Sequence, residues 1–562
     1  MIYKITGLET GGNLQSIDNI DICLNAFQEK LLQGDEINEN KIRINDSPIR
    51  KKNKIPGILL LVGKTYGRSK EFNTGKALYK CIPHNKNLPA FLIPYENKNV
   101  QFNKNISNKY ILFSLANWDN KHPIGTIQET IGDVKSTSNF YEYQLHCKNL
   151  YIPIKDLTQH INRFQKSNPK YDIIEKANSL YKLEDRRNFN IISVDPENCK
   201  DIDDAIGLNN NVLSIYISNV PIIVNVLNLW NKLSKRTSTI YLPDRKIPLL
   251  PNSISENMAS LLQNETRIAF TMDVRFRKND DCGLLIDGIE FCNSLIRVRK
   301  NYSYDDPSLL EDKLYLNIND LVSKLLKNYK FIENNHDSHD VISFLMILMN
   351  YECSKKLASF DDGIYRSFQI YNQRQNLDDV PSEIYKLIRI WTSSSSCKYT
   401  NFPEKEGHEL IGEGLESYIH ITSPIRRIVD LINMSIIQKC LNLLEFNEDA
   451  LSFINRWKDD IDYINESSKS IKNIQIDSNL LNICSDNLGL LNEKHMAYVF
   501  NRTDIDNNRF EYTVYIPKIK HMARCKLSEN LPEYSRQYFR IFLIEDGLTL
   551  KRKIRLLKFR KI

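Results

Sequence analysis

Residues 190–208 read NIISVDPENCKDIDDAIGL. Four aspartates, Asp195, Asp201, Asp203 and Asp204, fall within ten positions between the largely apolar runs IISV and AIGL. The flanks predict a buried strand that ends at the cluster and a second that starts from it. Carboxylates held at such a place without a cation lose hydration and repel one another, which raises their pKa values and costs stability. An acidic surface turn is the bland account of a bare D-x-D-D, but apolar segments on both sides argue against it. A divalent cation removes the conflict. Mg2+ takes oxygen ligands, usually one or two carboxylates with waters and phosphate oxygens. Two such ions about 4 Å apart clamp the attacking and leaving oxygens of an in-line phosphoryl displacement. In an extended chain Asp201 and Asp203 share a face and Asp204 points away, so convergence of the cluster predicts a local turn.

A second segment, ITSPIRRIVDLINMSIIQKCL (421–441), reads as an anion site. Ser423 suits an N-cap and Pro424 the first helical position. Ile425, Ile428, Val429, Ile432 and Ile436 then line one helical face. Arg426 and Arg427 fall in the first turn, against the positive end of the helix dipole. A bound phosphate accounts for that placement; the alternative is pairing with local acids such as Glu416 or Asp430.

The string Asp195-Pro196-x-x-x-Lys200-Asp201-Ile202-Asp203-Asp204-Ala205 resembles the signature of the ribonuclease II and ribonuclease R family, whose catalytic unit is the RNB domain. Asp185 and Arg187 fit its D-L-R element. RTSTIYLPDRKIPLLPNSISENMASL (236–261), VRKNYSYDD (298–306), the stretches around Asn350 and Arg366, and the G-H…Y-x-H-x-T-S-P-I-R-R-x-x-D-L motif near residue 420 follow in register. The resemblance covers about residues 185–440. It implies an RNB fold and metal-dependent 3′→5′ hydrolysis of single-stranded RNA with a free 3′ end, releasing nucleoside 5′-monophosphates. It also implies Mg2+ as cofactor, with Mn2+ as a substitute and two ions at catalysis. Asp195, Asp201, Asp203 and Asp204 become the metal ligands, Asp203 and Arg426 the catalytic residues. Tyr241, Tyr304, Ser423, Arg426 and Arg427 become RNA contacts, the tyrosines as stacking surfaces near the 3′ end. His408 and His420 read as structural histidines, since Mg2+ prefers oxygen.

Three departures bear on 3′-end recognition. IYISNV replaces an H-I-A-D-like string, Ser343 and Phe344 stand where relatives carry a glutamate, and Met434-Ser435 replaces His-Arg. A degenerate member that binds RNA without cutting it is the rival from another class. A small-molecule Mg2+ phosphohydrolase is a third, disfavoured by the flanking β modules.

At 562 residues the chain exceeds one ordinary core. Its apolar runs are far short of a membrane span, and the start lacks a signal-peptide pattern. The 11 cysteines form no C-x-x-C, so neither a disulfide framework nor a thiolate zinc site is signalled, and free thiols suit a reducing, intracellular, cytoplasmic setting. The net charge of +7 favours a polyanionic partner, and the last twelve residues, KRKIRLLKFRKI, carry seven basic side chains and no acid. No membrane partner is expected, and a monomer is. The basic run KIRINDSPIRKKNK (41–54) reads either as a solvated linker or as a nucleic-acid contact. The expected organisation is multidomain: an α/β (α+β) RNB catalytic domain flanked by small OB-type β-barrels. Its boundaries are a cold-shock-like module at 1–72, a second at 73–150, a connector at 151–185, the RNB domain at 186–485 and an S1-like module at 486–562.

Overall fold

The computed structural model describes residues 3–8, 14–17, 26–38, 40, 42–69, 75–96, 106–168, 172–279, 283–332, 337–368, 380–395, 397–403, 415–491, 493–506, 509–545 and 552–559. The chain forms two compact units. One comprises residues 1–151, 242–244 and 473–562, the other residues 152–241 and 245–472.

In the first unit, β1 (Tyr3–Leu8), β2 (Leu14–Ile17), β3 (Glu36–Ile37) and β4 (Arg43–Asn45) form a sheet in the order β2-β1-β3-β4. The basic run 41–54 is not a free linker. Part of it is β4, and Arg50 forks onto Asp35 through Nε and Nη2, at 2.7 Å for the shortest contact. Asp35 is fully buried and also accepts the backbone N–H groups of Leu32 and Ser47, so the arginine neutralises a charge that the turn needs.

Strands β5 (Ile55–Leu59), β6 (Ala77–Pro83), β7 (Phe91–Tyr95), β8 (Lys109–Asn117) and β9 (Ile124–Asp133) close a barrel in the order β5-β6-β7-β9-β8. This is the connectivity of an OB-type barrel. Phe91, Phe113, Ile93 and Cys81 fill its interior. The boundary drawn at residue 73 therefore moves ahead of Ile55, because β5 closes the barrel by pairing with both β6 and β8. Helix α1 (Thr137–Cys147) follows.

The second unit starts with α2 (Lys155–Ser167) and α3 (Ile173–Leu180). Residues 151–185 are more than a connector, since Leu157 and Ile161 of α2 enter the unit's main core and Ala177 of α3 packs with Ile222 and Leu295. Strands β10 (Glu184–Arg186), β11 (Ile191–Asp195), β12 (Asp204–Asn209) and β13 (Val212–Ser218) precede α4 (Val220–Val226). The short hairpin β14 (Ile240–Tyr241) and β15 (Lys246–Ile247) comes next, then β16 (Thr266–Asn279), β17 (Gly283–Arg297) and β18 (Lys300–Ser303). Apart from the hairpin, these strands form one mixed sheet, β10-β17-β16-β13-β12-β11-β18.

Both faces of the sheet are buried. Ile192, Val194, Ile206 and Ile215 join one core with residues of α5 (Lys313–Leu325) and α6 (Ser338–Ala358), while Ile191, Ala205 and Tyr216 join another. Two-sided burial explains the nearly continuous apolar runs of β11 and β13. The hairpin β19 (Tyr365–Phe368) and β20 (Cys397–Thr400) brackets α7 (Ser382–Ser395). Helices α8 (Ile428–Cys440) and α9 (Glu448–Asp459) follow, then α10 (Ile461–Asp486), whose residues from 473 on belong to the first unit.

Back in the first unit, β21 (His495–Asp506), β22 (Arg509–Ile516), β23 (His521–Leu527), β24 (Arg536–Glu545) and β25 (Arg552–Lys558) form a sheet in the order β23-β22-β21-β24-β25. Among the described residues no helix is long and apolar enough to cross a membrane, and every cysteine whose side chain is described is a free thiol.

The aspartate segment depends on how closely β11 approaches β12. Gly207 lies opposite Ile191, and a Cβ there would meet the Asn190 carbonyl oxygen at 2.9 Å. Gly207→Val should therefore destabilise the second unit by ~1–3 kcal/mol through overpacking, read as an earlier transition in thermal denaturation followed by circular dichroism.

Candidate active site

Strand β11 ends at Asp195 and β12 begins at Asp204. Between them the chain turns ahead of Asp201 rather than among Asp201, Asp203 and Asp204. The Cys199 N–H bonds to the Pro196 carbonyl at 3.1 Å, and Asn198 takes a φ of 61°, a left-handed conformation that asparagine tolerates. Ser260 then pins the loop: its hydroxyl donates to the Lys200 carbonyl at 2.8 Å and accepts the Ile202 N–H at 3.0 Å.

The turn does not bring all four carboxylates to one point. Among the described residues, no group of three or more histidine, cysteine or acidic side chains is disposed to hold a metal ion. The aspartates divide into two pairs by the partners they find. Asp203 is almost fully buried, and its oxygens accept the Ile425 N–H at 2.9 Å and Arg426 Nε at 3.1 Å. Asp201 receives Lys246 Nζ at 3.0 Å on one oxygen and the Tyr241 hydroxyl at 3.4 Å on the other. Lys246 is braced in turn by Glu256, at 2.7 Å.

Asp195 and Asp204 have no ion pair among the described residues. Asp195 accepts a hydrogen bond from Ser193, whose hydroxyl is oriented by Asn301 Nδ2 at 2.7 Å. Its Oδ2 is buried without a hydrogen-bond partner. Burial pushes the Asp195 carboxyl up to about 6, Ser193 and Arg426 pulling against it and Asp201 adding to it. Burial and the charges of Asp195 and Asp203 drive Asp204 well above the ordinary carboxylate range. Burial takes Asp203 to about 7 despite Arg426 and the Ile425 N–H. An orphaned carboxylate oxygen beside a second, half-buried carboxylate without an ion pair is the donor set that a hard cation accepts.

Residues 183–314 match the model of the RNB domain. That stretch, from β10 to the start of α5, resembles an RNB domain. Ribonuclease R of Chlamydia pneumoniae is 24% identical over 447 residues, covering 66% of this chain. The chain spans 65% of that relative's length and about half of that of several others. Among solved structures, the apo form of Mycoplasma genitalium RNase R superposes with a TM-score of 0.65 at 17% identity, covering 99% of this chain and 100% of that one. Yeast Ssd1, a pseudonuclease, gives 0.56 at 16% identity over 89% of this chain and 67% of its own.

The other expected residues of the RNB unit are placed as follows. Tyr304 lies near Asp204 and Asp195, whose charges add to burial in pushing its phenol up, and its ring stacks on His339 with centroids 3.7 Å apart. Tyr241 is 40% exposed. Ser423 is buried and is not a helix cap; its hydroxyl accepts Arg426 Nη2 at 2.9 Å and its N–H bonds to Asp430. Helix α8 starts only at Ile428, because the backbone before it is claimed elsewhere. The Arg426 carbonyl accepts the Thr239 N–H, and the Ile428 N–H bonds to the Thr237 carbonyl. Nor is α8 one-sided, for residues 428–438 are all buried.

The two arginines separate. Arg426 keeps a side chain 45% exposed, whereas Arg427 pairs with Asp430 at 2.8 Å, the local acid named as its alternative partner. His420 is a satisfied core histidine, bonded to the Tyr399 hydroxyl and Arg366, and burial holds it well below its usual pKa. His408 lies outside the described residues. Ser218 and Asn219, at the departure from H-I-A-D, serve structure: the serine bonds to the Ala259 carbonyl and the asparagine to Asn293 and Gln438.

Sequence reasoning missed Lys246, Glu256, Ser193, Asn301 and His339. A hairpin around Pro243-Asp244 would have set Lys246 opposite Tyr241, but nothing local places either against Asp201.

The Asp195 shift fixes a pH dependence. An unfolded aspartate titrates near 4 and the folded one at about 6, so the native state holds its proton more tightly. That contribution favours folding below pH ~4 and is lost as pH rises through 6. In chelator, Asp195→Asn should therefore gain on the order of 1–3 kcal/mol over wild type at pH 8 and nothing at pH 4, measured by urea titration at both pH values.

Proposed function

We propose that the chain is a metal-dependent 3′→5′ exoribonuclease that hydrolyses single-stranded RNA and releases nucleoside 5′-monophosphates. The observation that carries this reading is the pair Asp195 and Asp204, half-buried, both raised above the ordinary carboxylate range and without an ion pair among the described residues, beside a half-exposed arginine and two aromatic rings. Direction and product come from the kinship of the RNB domain with ribonuclease R.

Asp195 and Asp204 would hold a Mg2+ ion. When bound, such an ion supplies charge neutralisation and activates water against the scissile phosphate. Arg426, held by Asp203 and Ser423 at its root, presents its remaining donors to a phosphate, where preorganised positive charge lowers the barrier for phosphoryl transfer. Asp203 acts by fixing Arg426. Tyr304, stacked on His339, and the exposed Tyr241 offer ring faces to bases, worth about 1–3 kcal/mol each and tolerant of sequence. Arg427, paired with Asp430, contributes positive potential rather than a direct contact.

A second reading, an RNB protein that binds RNA without cutting it, is favoured by the absence of a three-carboxylate group among the described residues and by the fold shared with a pseudonuclease. The two readings part in one assay. On 5′-labelled single-stranded RNA with Mg2+, the nuclease shortens the strand from a free 3′ end, spares a 3′-blocked strand and stops in chelator. Asp204→Asn should lose at least about 100-fold in rate and Arg426→Ala about 10²–10³-fold, with RNA binding retained in gel-shift assays. Retention of RNA by wild type with no shortening supports the second reading.

Tyr241→Ala should raise KM for RNA roughly 5- to 150-fold with kcat little changed, whereas Tyr241→Phe retains the wild-type KM; steady-state kinetics on a homopolymer measures both.

A further inference from the structure

The hairpin β14–β15 closes on Asp201 from two sides. Tyr241 and Lys246 are register partners on its two strands, and both reach the same carboxylate. Lys246 Nζ lies 3.0 Å from Oδ1 and the Tyr241 hydroxyl 3.4 Å from Oδ2. The ammonium is seated rather than wandering: Glu256 holds it at 2.7 Å, and the lysine side chain is 23% exposed and that of Asp201 only 9%. Glu256 itself sits in a π-helical turn, Ser253–Met258, a rare geometry that often marks functional positions. The Lys246–Asp201 contact is therefore enclosed and braced, unlike a surface ion pair.

We infer that Lys246 is a built-in counter-cation that takes the place of a second divalent ion, so that the site works with one metal at Asp195 and Asp204 and a fixed ammonium at Asp201. This inference rests on the proposed metal dependence. In a two-ion arrangement a carboxylate is shared between ions, yet both oxygens of Asp201 are engaged by the hairpin and both oxygens of Asp203 by Arg426 and the Ile425 N–H. With those two carboxylates occupied, one cation satisfies the two that remain.

The test counts ions on the full chain, by Mn2+ titration followed by electron paramagnetic resonance and by equilibrium dialysis, independent of turnover. Wild type should bind one Mn2+ per chain. Lys246→Met should bind two, because Asp201 then lacks its cation, and Lys246→Arg should return to one. Adding Asp201→Asn to Lys246→Met should remove the second ion. Two ions on wild type, or one on a folded Lys246→Met, would overturn the inference while leaving metal dependence standing. No ion on wild type or on Lys246→Met would overturn both. Should Lys246→Met fail to fold, as circular dichroism would show, the wild-type count alone still decides.

Discussion

Negative charge at the ends of buried strands has to be neutralised where it stands, and this constraint organises the second unit. β11 and β12 deliver carboxylates at their junction because the sheet is covered on both faces and the loop between them is short. Removing those charges from water costs several kcal/mol each unless a partner compensates. Two are compensated from inside the fold. Asp203 is met by the segment ahead of α8, and Asp201 by the hairpin β14–β15. Asp195 and Asp204 have no ion pair among the described residues, and under the proposed function a cation from outside meets them.

The same division assigns work to elements that otherwise look like connections. The residues from Ser423 to Arg427 forgo a regular helix so that their backbone bonds to Asp203, Asp430 and the segment Thr237–Thr239. That detour holds Arg426 beside the aspartates with its outer face free, and turns Arg427 back onto Asp430. The hairpin presents one ring to solvent and one ammonium to Asp201. Fixed charge of this kind is present before substrate arrives, which is the condition under which electrostatics assist phosphoryl transfer.

Much of this was legible in the residues. The apolar runs around the aspartates announced strands, and both formed. The need for a turn followed from the period of a strand, but the turn that forms, with Asn198 in a left-handed backbone, lies ahead of Asp201 and does not gather Asp201, Asp203 and Asp204 into one metal group. The expected OB-type barrel formed, over residues 55–133 rather than 73–150. What could not be read depends on tertiary partners. Ser423-Pro424 has the composition of a helix start, but long-range backbone bonds outcompete the cap and delay the helix to Ile428. The apolar spacing of α8 suggested one buried face, whereas a helix within a large core is buried all round. Lys246 and Glu256 lie 45 and 55 residues from Asp201 in sequence, beyond the reach of any local pattern. Residues 151–185 look polar enough to be a connector because only a narrow stripe, Leu157 and Ile161 among it, is buried.

The central claim is that two of four clustered aspartates are neutralised by the protein and two by a mobile cation. Anomalous diffraction from crystals soaked in Mn2+ tests it most directly. The account predicts one anomalous peak, in contact with the carboxylates of Asp195 and Asp204, with Lys246 still bonded to Asp201. Two peaks bridged by Asp201, or none at saturating Mn2+, would contradict it.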